Sequence, residues 1–562
     1  MKKTESYLPI LHALKVLMKR ALDLKVKKET PEGTTRIFKI SGIRIAYMRQ
    51  ESYVMPYLNA PPGYIEVHKP APELLITLFY DGKRKKVSCP VSLKSSYLRT
   101  YYGILSSGWP RISTAISELI DVFHGSKLSD QKYYKEYRVE NPPHMDDEEF
   151  NLPPLESIPK DFVRSFEEFL RNMFLTECIA QINARVSSNR KMWIVLDSWG
   201  TQIIQKQDIM QVGIEPYAIN DKKCVYACSI SRMAKSFDNL KEELPKFKQE
   251  FQEFLNSINR KELPSGIYPL IFAPSATATL FHEAIVGHML SGAYIVENES
   301  TIFKGKLGKS VCTENYMSVL KKLSIWDRPL ANDMIATYKY DMEGVPAKDV
   351  LLINKGILKD YLYDRNSAAR IKKEDNGHAL AESFQSKNFW SLFGIYDDAQ
   401  LPEPRVSNLV IFTDSKTKFK DLEEAYFKKY GYYFLVKSEE GQVDITTGTF
   451  KLGVDRLEKV YPDGKREYFH GGIFSANLTD FISAIQEVSN EYGNTYGYCG
   501  AESGYVPTQE YTPAMSVHGI NWAPIALPEP QTDFEIKRDK YISKKWVKSE
   551  SYEFPTNKKD EK

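Results

Sequence analysis

The chain has 562 residues, of which 42% are apolar and 27% charged, and this length is typical of proteins that divide into two or more domains. Its 76 Lys and Arg residues nearly balance 73 Asp and Glu, so charge gives no support for nucleic acid or an anionic membrane as a partner. No segment approaches the about 18 consecutive apolar residues of a membrane-spanning helix, and no signal-peptide cleavage site follows the N-terminal segment. Six cysteines are too few for a disulfide framework, so we expect a cytoplasmic protein.

The first part of the chain mixes helix and strand patterns. YLPILHALKVLMKRAL (7–22) predicts a helix, whereas TRIFKISGIRIAYMRQ (35–50) and ELLITLFYDGKRKKVSCPV (73–91) alternate as strands do. The acidic, proline-rich segment 140–161 predicts a loop, and RSFEEFLRNMFLTECIAQINARV (164–186) predicts a helix. A later helical pattern ends in Pro-Ser-Gly, and we place the boundary of a mixed α/β N-terminal domain, residues 1–262, there.

The second part predicts a sheet-rich domain, residues 263–535. A strand, GIYPLIFAP, precedes a small-residue turn, SATAT, and a helix that carries LFHEAIVGHML (280–290). Strands are predicted at DVLLINKGILKDYLYD, RVSNLVIFT and GYYFLVKSEEGQVDITTGTFKLGVDRLEKVY, and a helix at NLTDFISAIQEVSNEYG (477–493). Residues 536–562 are rich in Lys and Glu, and we expect a charged, partly disordered tail. The predicted fold class is therefore α+β, with two domains.

The segment LFHEAIVGHML places Glu283 directly after His282, and His288 six residues after His282. In the common zinc-protease motif the histidines lie at i and i+4, on one helix face. Six residues of regular helix separate two side chains by about 9 Å along the axis and about 120° around it. One metal ion is within reach of both histidines only if the helix is bulged, which Gly287 would permit. From the spacing alone, a core histidine beside a capping histidine remains the simpler interpretation.

A catalytic zinc site needs a third protein ligand, with water in the fourth position. Free cysteines are usually small core hydrophobes. Cys499 differs, because it lies in TYGYCGAESG between glycines, where a loop can bring a thiolate close to another part of the backbone.

Five segments in chain order resemble the motifs of the TldD/PmbA family, metallopeptidases also called modulators of DNA gyrase: TLFHEAIVGHMLSG, GVPAKDVLLINKGILKDYLYDRNSAARI, PEPRVSN, GQVDITTGTF and YGYCGAESG. The resemblance covers most of residues 265–523. In TldD-type members it implies that His282, His288 and Cys499 bind one zinc ion and that Glu283 is the general base. PmbA/TldE-type members lack this set and resemble inactive partners.

One departure from the family pattern affects the helix. The family has three residues between the glutamate and the second histidine, whereas this chain has four, AIVG. We therefore interpret Ile285 or Val286 as an inserted residue that a bulge absorbs. Without a bulge, His288 would miss the metal.

The resemblance implies a zinc-dependent peptidase that hydrolyses unfolded or extended peptides in a site enclosed by a homodimer, or by a heterodimer with a family paralogue. Arg405, Asn408, Gln442 and Asp444 are candidate substrate-binding residues, since they lie in RVSNLVIFT and GQVDITTGTF and the first two match the family's PR..N pattern. Either strand is a candidate edge to which a peptide adds as a further strand. Ordinary sheet structure is the alternative for each residue. The rival function is a catalytically inactive peptide-binding protein or partner subunit.

Overall fold

The computed structural model describes residues 4–29, 33–58, 65–82, 85–123, 138–174, 176–312, 317–384, 400–438 and 440–530. The predicted charged tail, residues 536–562, lies outside the described residues. The helices are α1 (Leu8–Asp23), α2 (Tyr101–Phe123), α3 (Lys160–Phe174), α4 (Phe237–Asn256), α5 (Pro274–Phe281), α6 (Gly292–Glu297), α7 (Arg365–Ile371), α8 (Phe419–Tyr430) and α9 (Leu478–Ser483). Short 3₁₀ turns lie at Ser96–Arg99, Asp147–Phe150 and Ser318–Lys322, and a π-helical turn lies at His282–Val286.

The strands before α5 are β1 (Glu5–Ser6), β2 (Val26–Glu29), β3 (Thr35–Phe38), β4 (Gly42–Leu58), β5 (Glu66–His68), β6 (Glu73–Gly82), β7 (Lys85–Lys94), β8 (Asn151–Leu152), β9 (Ile179–Asp197), β10 (Gln202–Ile219), β11 (Val225–Ala227), β12 (Ile230–Ala234), β13 (Gly266–Ile267) and β14 (Leu270–Phe272). Among the described residues, an eight-stranded N-terminal sheet has the order β11-β10-β9-β4-β6-β7, with β12 paired to β10 and β5 to β4.

The later strands are β15 (Leu323–Asp327), β16 (Val350–Asn354), β17 (Ile357–Leu358), β18 (Ala379–Leu380), β19 (Glu403–Pro404), β20 (Asn408–Thr413), β21 (Tyr433–Val436), β22 (Glu440–Val443), β23 (Thr449–Val460), β24 (Arg466–Asn477), β25 (Ile485–Ala501), β26 (Gly504–Val517) and β27 (Asn521–Pro524). As far as the chain is described, the C-terminal sheet has thirteen strands in the order β13-β27-β24-β23-β21-β14-β26-β20-β15-β16-β17, with β22 paired to β23 and β25 to β26. The α+β fold class is confirmed.

The two faces of the N-terminal sheet pack against different layers. Ile45 of β4 belongs to the core formed with α1 and α2, whereas its neighbour Ala46 belongs to the core shared with the C-terminal sheet. Trp193 of β9 lies on the same side as Ala46, and its Nε1 donates to the carbonyl oxygen of Asp341 at 3.0 Å. Because side chains alternate across a strand, the sheet supports helices on one face and the C-terminal sheet with its flanking segments on the other.

The centre of the C-terminal sheet positions the histidine motif. β14 leads directly into α5 and lies between β21 and β26 in the sheet. β25 and β26 form a long hairpin in which Cys499 lies opposite Val506. Since α5 packs against both strands of this hairpin, the end of α5 is held close to Cys499.

Two predicted helices are wrong in their second halves. The helix predicted over 164–186 ends at Phe174, and β9 begins at Ile179. The helix predicted over 477–493 ends at Ser483, and β25 begins at Ile485. The prediction of a turn at the small-residue segment SATAT is also wrong, because this segment belongs to α5. The helix begins at Pro274, and proline suits the first helical position. No helix among the described residues combines the length and apolar character needed to cross a bilayer.

Candidate metal centre

The bulge that the histidine spacing predicts is a π-helical turn. α5 continues into the turn at residues 282–286. The Gly287 amide donates to the His282 carbonyl at 2.7 Å, and the Leu290 amide donates to the Ile285 carbonyl at 3.0 Å. Both bonds span five residues instead of four, so the turn contains one residue more than an α-helical turn. Single π turns of this kind are frequent at functional sites.

Gly287 leaves space for the His282 side chain. Its backbone is ordinary right-handed helix, with φ −64° and ψ −32°, so the expectation that it supplies unusual backbone geometry is wrong. A Cβ atom at this position would lie 3.0 Å from the His282 carbonyl oxygen and 3.2 Å from the imidazole Cδ2. A side chain at residue 287 would therefore push the His282 ring out of position.

His282 is buried and is held by a carboxylate. Its Nδ1 lies 2.9 Å from Oε1 of Glu510 on β26. Its Nε2 is buried and has no hydrogen-bond partner among the described residues. Burial alone would lower the pKa of His282, but Cys499 and Glu510 raise this pKa well above its ordinary value. The ring is thus oriented through Nδ1, and Nε2 remains available.

Cys499 is 2% exposed, and Arg405 fixes its backbone. The Arg405 guanidinium donates to the Cys499 carbonyl at 2.5 Å, to the Ser503 hydroxyl at 2.7 Å and to the Gly504 carbonyl at 2.7 Å. Burial raises the pKa of the Cys499 thiol, but the positive charges of His282 and Arg405 lower it to about 6. A thiolate, the form that binds metal, is therefore favoured.

Glu283 lies between the two histidines. Its Oε2 is 3.2 Å from His288 Nε2, and its Oε1 is 4.0 Å from His282 Nε2. Burial raises the pKa of Glu283, but the hydrogen bond from His288 and the charges of both histidines lower it below the ordinary value. The carboxylate is ionised and can accept a proton.

The candidate substrate-binding residues occupy different environments. Arg405 is 1% exposed and lies behind Cys499, and Asn408 is fully buried. Asn408 accepts from the Ala336 amide at 3.1 Å and belongs to the sheet core. Gln442 and Asp444 are exposed, and Asp444 accepts from backbone amides of the turn that follows β22.

The two candidate peptide-binding strands also differ. β20 lies between β15 and β26, so both of its edges are occupied and the prediction that RVSNLVIFT receives a peptide strand is wrong. β22 pairs with β23, and the described residues contain no strand on its other edge. A Cβ atom on Gly441 of β22 would lie 3.0 Å from Glu283 Cγ, so one face of this strand packs against Glu283.

A groove of about 610 Å³ opens from His282 and Glu283 toward the N-terminal sheet. One wall consists of α5, the π turn and the β25–β26 hairpin. The opposite wall consists of β9, β10 and β12, and includes Arg185 and Glu215. The groove is large enough for several peptide side chains.

Glu510 is a site residue that no motif in the sequence identifies. Its burial within β26 is visible only in the structure, and buried acids are rare unless they are paired. A carboxylate that holds a metal-binding histidine through its second nitrogen is a common feature of zinc sites.

These residues fit zinc. Zinc in proteins is bound by imidazole nitrogen and thiolate sulfur, and the buried, unpartnered Nε2 of His282 beside Cys499 supplies one donor of each kind. In the described part of the chain, one group of three potential metal-binding residues has all its ligand atoms within 4.8 Å of one another. The group is Asp341, Glu343 and Asp375. The donors of His282, His288 and Cys499 are therefore spread more widely than that trio, and one ion would have to draw them together.

Comparisons with known proteins identify relatives of this chain. Residues 265–523 match the PmbA/TldA metallopeptidase C-terminal domain. A metalloprotease of Methanocaldococcus jannaschii is 29% identical over 253 residues, which are 45% of this chain and 50% of that protein. A zinc metalloprotease TldD homolog of Saccharolobus solfataricus is 25% identical over 269 residues, 47% of this chain and 54% of that protein. The chain thus spans about half the length of the curated relatives it matches.

The fold similarity extends further along the chain. The solved structure of TldE from Thermococcus kodakarensis matches with a TM-score of 0.64 at 15% identity, and covers 91% of this chain and 100% of that chain. The similarity of the fold thus extends over most of the chain. The family-model match places residues 265–523 of this chain in the TldD/PmbA family.

Proposed function

We propose that the protein is a zinc-dependent peptidase that cleaves unfolded or extended peptides, with one zinc ion held by His282, His288 and Cys499. The observation that carries the proposal is the buried, unpartnered Nε2 of His282 beside the Cys499 thiol and the ionised Glu283. The described cysteines are free, which suits a reducing compartment and supports the proposed cytoplasmic location.

Zinc in such a site acts as a Lewis acid toward the peptide carbonyl and activates water. The remaining steps belong to the protein. Glu283 accepts the proton of the attacking water and passes it to the leaving amine. Glu510 holds His282 through Nδ1, and Arg405 holds the backbone of Cys499. These contacts keep the ligands in place while Glu283 transfers the proton.

The open edge of β22 and the groove supply the peptide-binding surface in this proposal. A peptide that adds as a strand to β22 forms main-chain hydrogen bonds irrespective of its sequence. Since Gly441 of β22 lies against Glu283, a peptide on this edge passes the general base. Gln442 and Asp444, which are exposed on β22 and in the turn after it, are proposed to contact the peptide.

The second candidate function is an inactive peptide-binding protein or a partner subunit. The observation that favours it is the wide spread of the three donors. The similarity to a protein named TldE is compatible with a partnership between TldD-type and TldE-type chains. We propose a dimer, either of two copies or with a family paralogue.

Replacement of the general base separates the two candidates. Glu283→Gln removes the proton acceptor, so we expect peptide hydrolysis by the zinc-loaded protein to fall about 10²- to 10⁴-fold while zinc content is unchanged. Hydrolysis of an unstructured peptide, followed by mass spectrometry, measures this effect. Glu299→Gln is the matched control, because Glu299 is an exposed glutamate just after α6. A zinc-loaded wild type that cleaves no peptide would favour the inactive binding protein.

A further inference from the structure

The wall of the groove opposite the histidines has a defined charge pattern. On the paired strands β9 and β10, Arg185 lies opposite Gly213, and Asn183 lies opposite Glu215. Residues two apart on a strand project to the same face, and all four of these residues line the groove. An arginine and a glutamate therefore lie on the groove wall within two residue positions of each other.

These two charges differ in their partners. Glu215 accepts a hydrogen bond from Asn183 Nδ2 at 3.1 Å. Arg185 is exposed, and among the residues that the structure describes it forms no hydrogen bond or ion pair. Gly213 opposite it has no side chain, so the space beside the guanidinium stays open. Arg185 thus presents its donors to the groove.

The other wall carries two acidic side chains, Glu283 and Glu510, near the candidate metal centre. Among the described residues that line the groove, Arg185 is the one arginine or lysine. The guanidinium of arginine has a planar fork of donors that matches both oxygens of a carboxylate. A peptide with a negative group is therefore expected to place that group at Arg185.

We propose that Arg185 is a specificity-determining residue that binds a carboxylate of the peptide, so that peptides carrying an acidic side chain or a free C-terminal carboxylate in the groove are preferred. The inference rests on the proposed function, because it names the substrate class of the same site. Tyr498 lines the groove next to Cys499 in the chain, so a carboxylate bound at Arg185 faces the strand that carries a predicted metal ligand.

Binding to an inactive variant tests the inference without turnover. Zinc-loaded Glu283→Gln is titrated against fluorescent, unstructured peptides of one base sequence, by anisotropy. One arm of the peptide set places Glu or Gln at successive positions with an amidated C-terminus. The other arm has no acidic side chain and compares a free with an amidated C-terminus. The two arms distinguish an acidic side chain from the C-terminal carboxylate.

We expect about tenfold tighter binding of a carboxylate-bearing peptide in at least one arm, since charge-assisted hydrogen bonds are among the stronger polar contacts. Adding Arg185→Gln should remove this preference and leave binding of the neutral peptide unchanged. The preference should also shrink as salt is raised. Arg164→Gln is the matched control, because Arg164 is an exposed arginine of the same domain that does not line the groove.

The outcomes separate this inference from the proposed function. Equal binding of neutral and carboxylate-bearing peptides, or a preference that survives Arg185→Gln, would overturn the role of Arg185 and leave the peptidase proposal intact. Failure to bind any peptide would overturn both.

Discussion

Glu510 and Arg405 support the predicted ligands from behind. Glu510 is 4% exposed and contacts Nδ1 of His282 at 2.9 Å. Arg405 contacts the backbone around Cys499 through its buried guanidinium. Glu510 also lines the groove, but its carboxylate is engaged by His282. Their shared role is to fix two ligands that come from distant parts of the chain.

Replacing Glu510 tests this role. Glu510→Gln keeps the size of the side chain but removes the charge that orients His282, so we expect zinc affinity to fall about 10- to 100-fold. Competition with a chromophoric zinc chelator measures the affinity. Glu424→Gln on α8, where the side chain is 63% exposed, should bind zinc as the wild type does. Equal affinities for Glu510→Gln and the control would show that the contact does not orient the ligand.

Glu167 on α3 should make stability depend on pH. It is 3% exposed, and burial raises its pKa from 4.5 to about 7. The folded state therefore holds the proton more tightly than the unfolded state. The resulting stability is complete below pH 4.5 and is lost as pH rises through about 7, by on the order of 3 kcal/mol.

Glu167→Gln should lose only the part of this pH dependence that Glu167 contributes, because Glu403, whose pKa burial also raises to about 7, remains. Urea unfolding near pH 5 and near pH 8 compares the variant with the wild type, and Glu168→Gln is the control because Glu168 is exposed on the same helix. The same loss of stability between the two pH values in both variants would contradict the assignment to Glu167.

At the scale of elements, the π turn decides whether His288 can join the site. The extra residue between Glu283 and His288 is accommodated by hydrogen bonds that span five residues. A π turn inside a helix amounts to a one-residue insertion. Removing one residue should therefore restore an α-helical turn without displacing the residues after the turn.

Deletion and insertion in this turn should have opposite effects. Deletion of Val286 converts the five-residue hydrogen bond at Gly287 into a four-residue one, so we expect the protein to keep its zinc. Insertion of an Ala after Val286 adds a residue that the turn cannot absorb, so we expect zinc to be lost. Zinc content of both purified variants, with circular dichroism to check folding, measures this. Retention of zinc by a folded insertion variant would contradict this account of the turn.

Some elements could be predicted from the sequence and others could not. α1 was predicted because Leu11, Leu14 and Leu17 repeat at helical spacing, and all three are fully buried. β9 was missed over 179–186 because Ile179, Ile182 and Val186 are spaced by three and four residues, as in a helix. In the sheet, every second residue from Ala180 to Val186 is buried. The pairing of β9 with β4 and β10 makes this segment a strand and not a helix. The sequence of the segment itself does not show that pairing.

The start of β25 was missed for a related reason. Ile485 and Val488 are three residues apart, which favours a helix, but the pairing of β25 with β26 shifts register between Ile485 and Glu487 and again between Val488 and Tyr492. Such bulges interrupt the two-residue alternation that identifies a strand.

In the candidate site, too, some residues could be predicted from the sequence and others could not. Glu283 and the three predicted ligands were identified from the motifs of a family. Glu510 has no motif of its own, and its role follows only from the position of β26 beside α5. The burial of Arg405 also depends on contacts 94 to 99 residues away in the chain.

At the scale of the whole molecule, the groove depends on how the two sheets meet. Arg44 of β4 donates to Glu343 at 3.0 Å, and both side chains are nearly inaccessible to solvent. The Arg365 amide donates to the same carboxylate at 2.8 Å. A buried ion pair is costly to break, because one charge is left without its partner. The contact therefore fixes the N-terminal sheet, which carries Arg185, relative to the histidines.

His282 and Cys499, which lie more than two hundred positions apart in the chain, are proposed to bind one metal ion. Zinc content per chain in the wild type and in Cys499→Ala, after mild dialysis, tests it most directly. Cys312→Ala is the matched control, because Cys312 is a free, half-buried cysteine outside the site. We expect about one zinc per chain in the wild type and the control, and a sharp fall in Cys499→Ala. No zinc in any of the three proteins after zinc is supplied, or equal zinc in all three, would contradict the account.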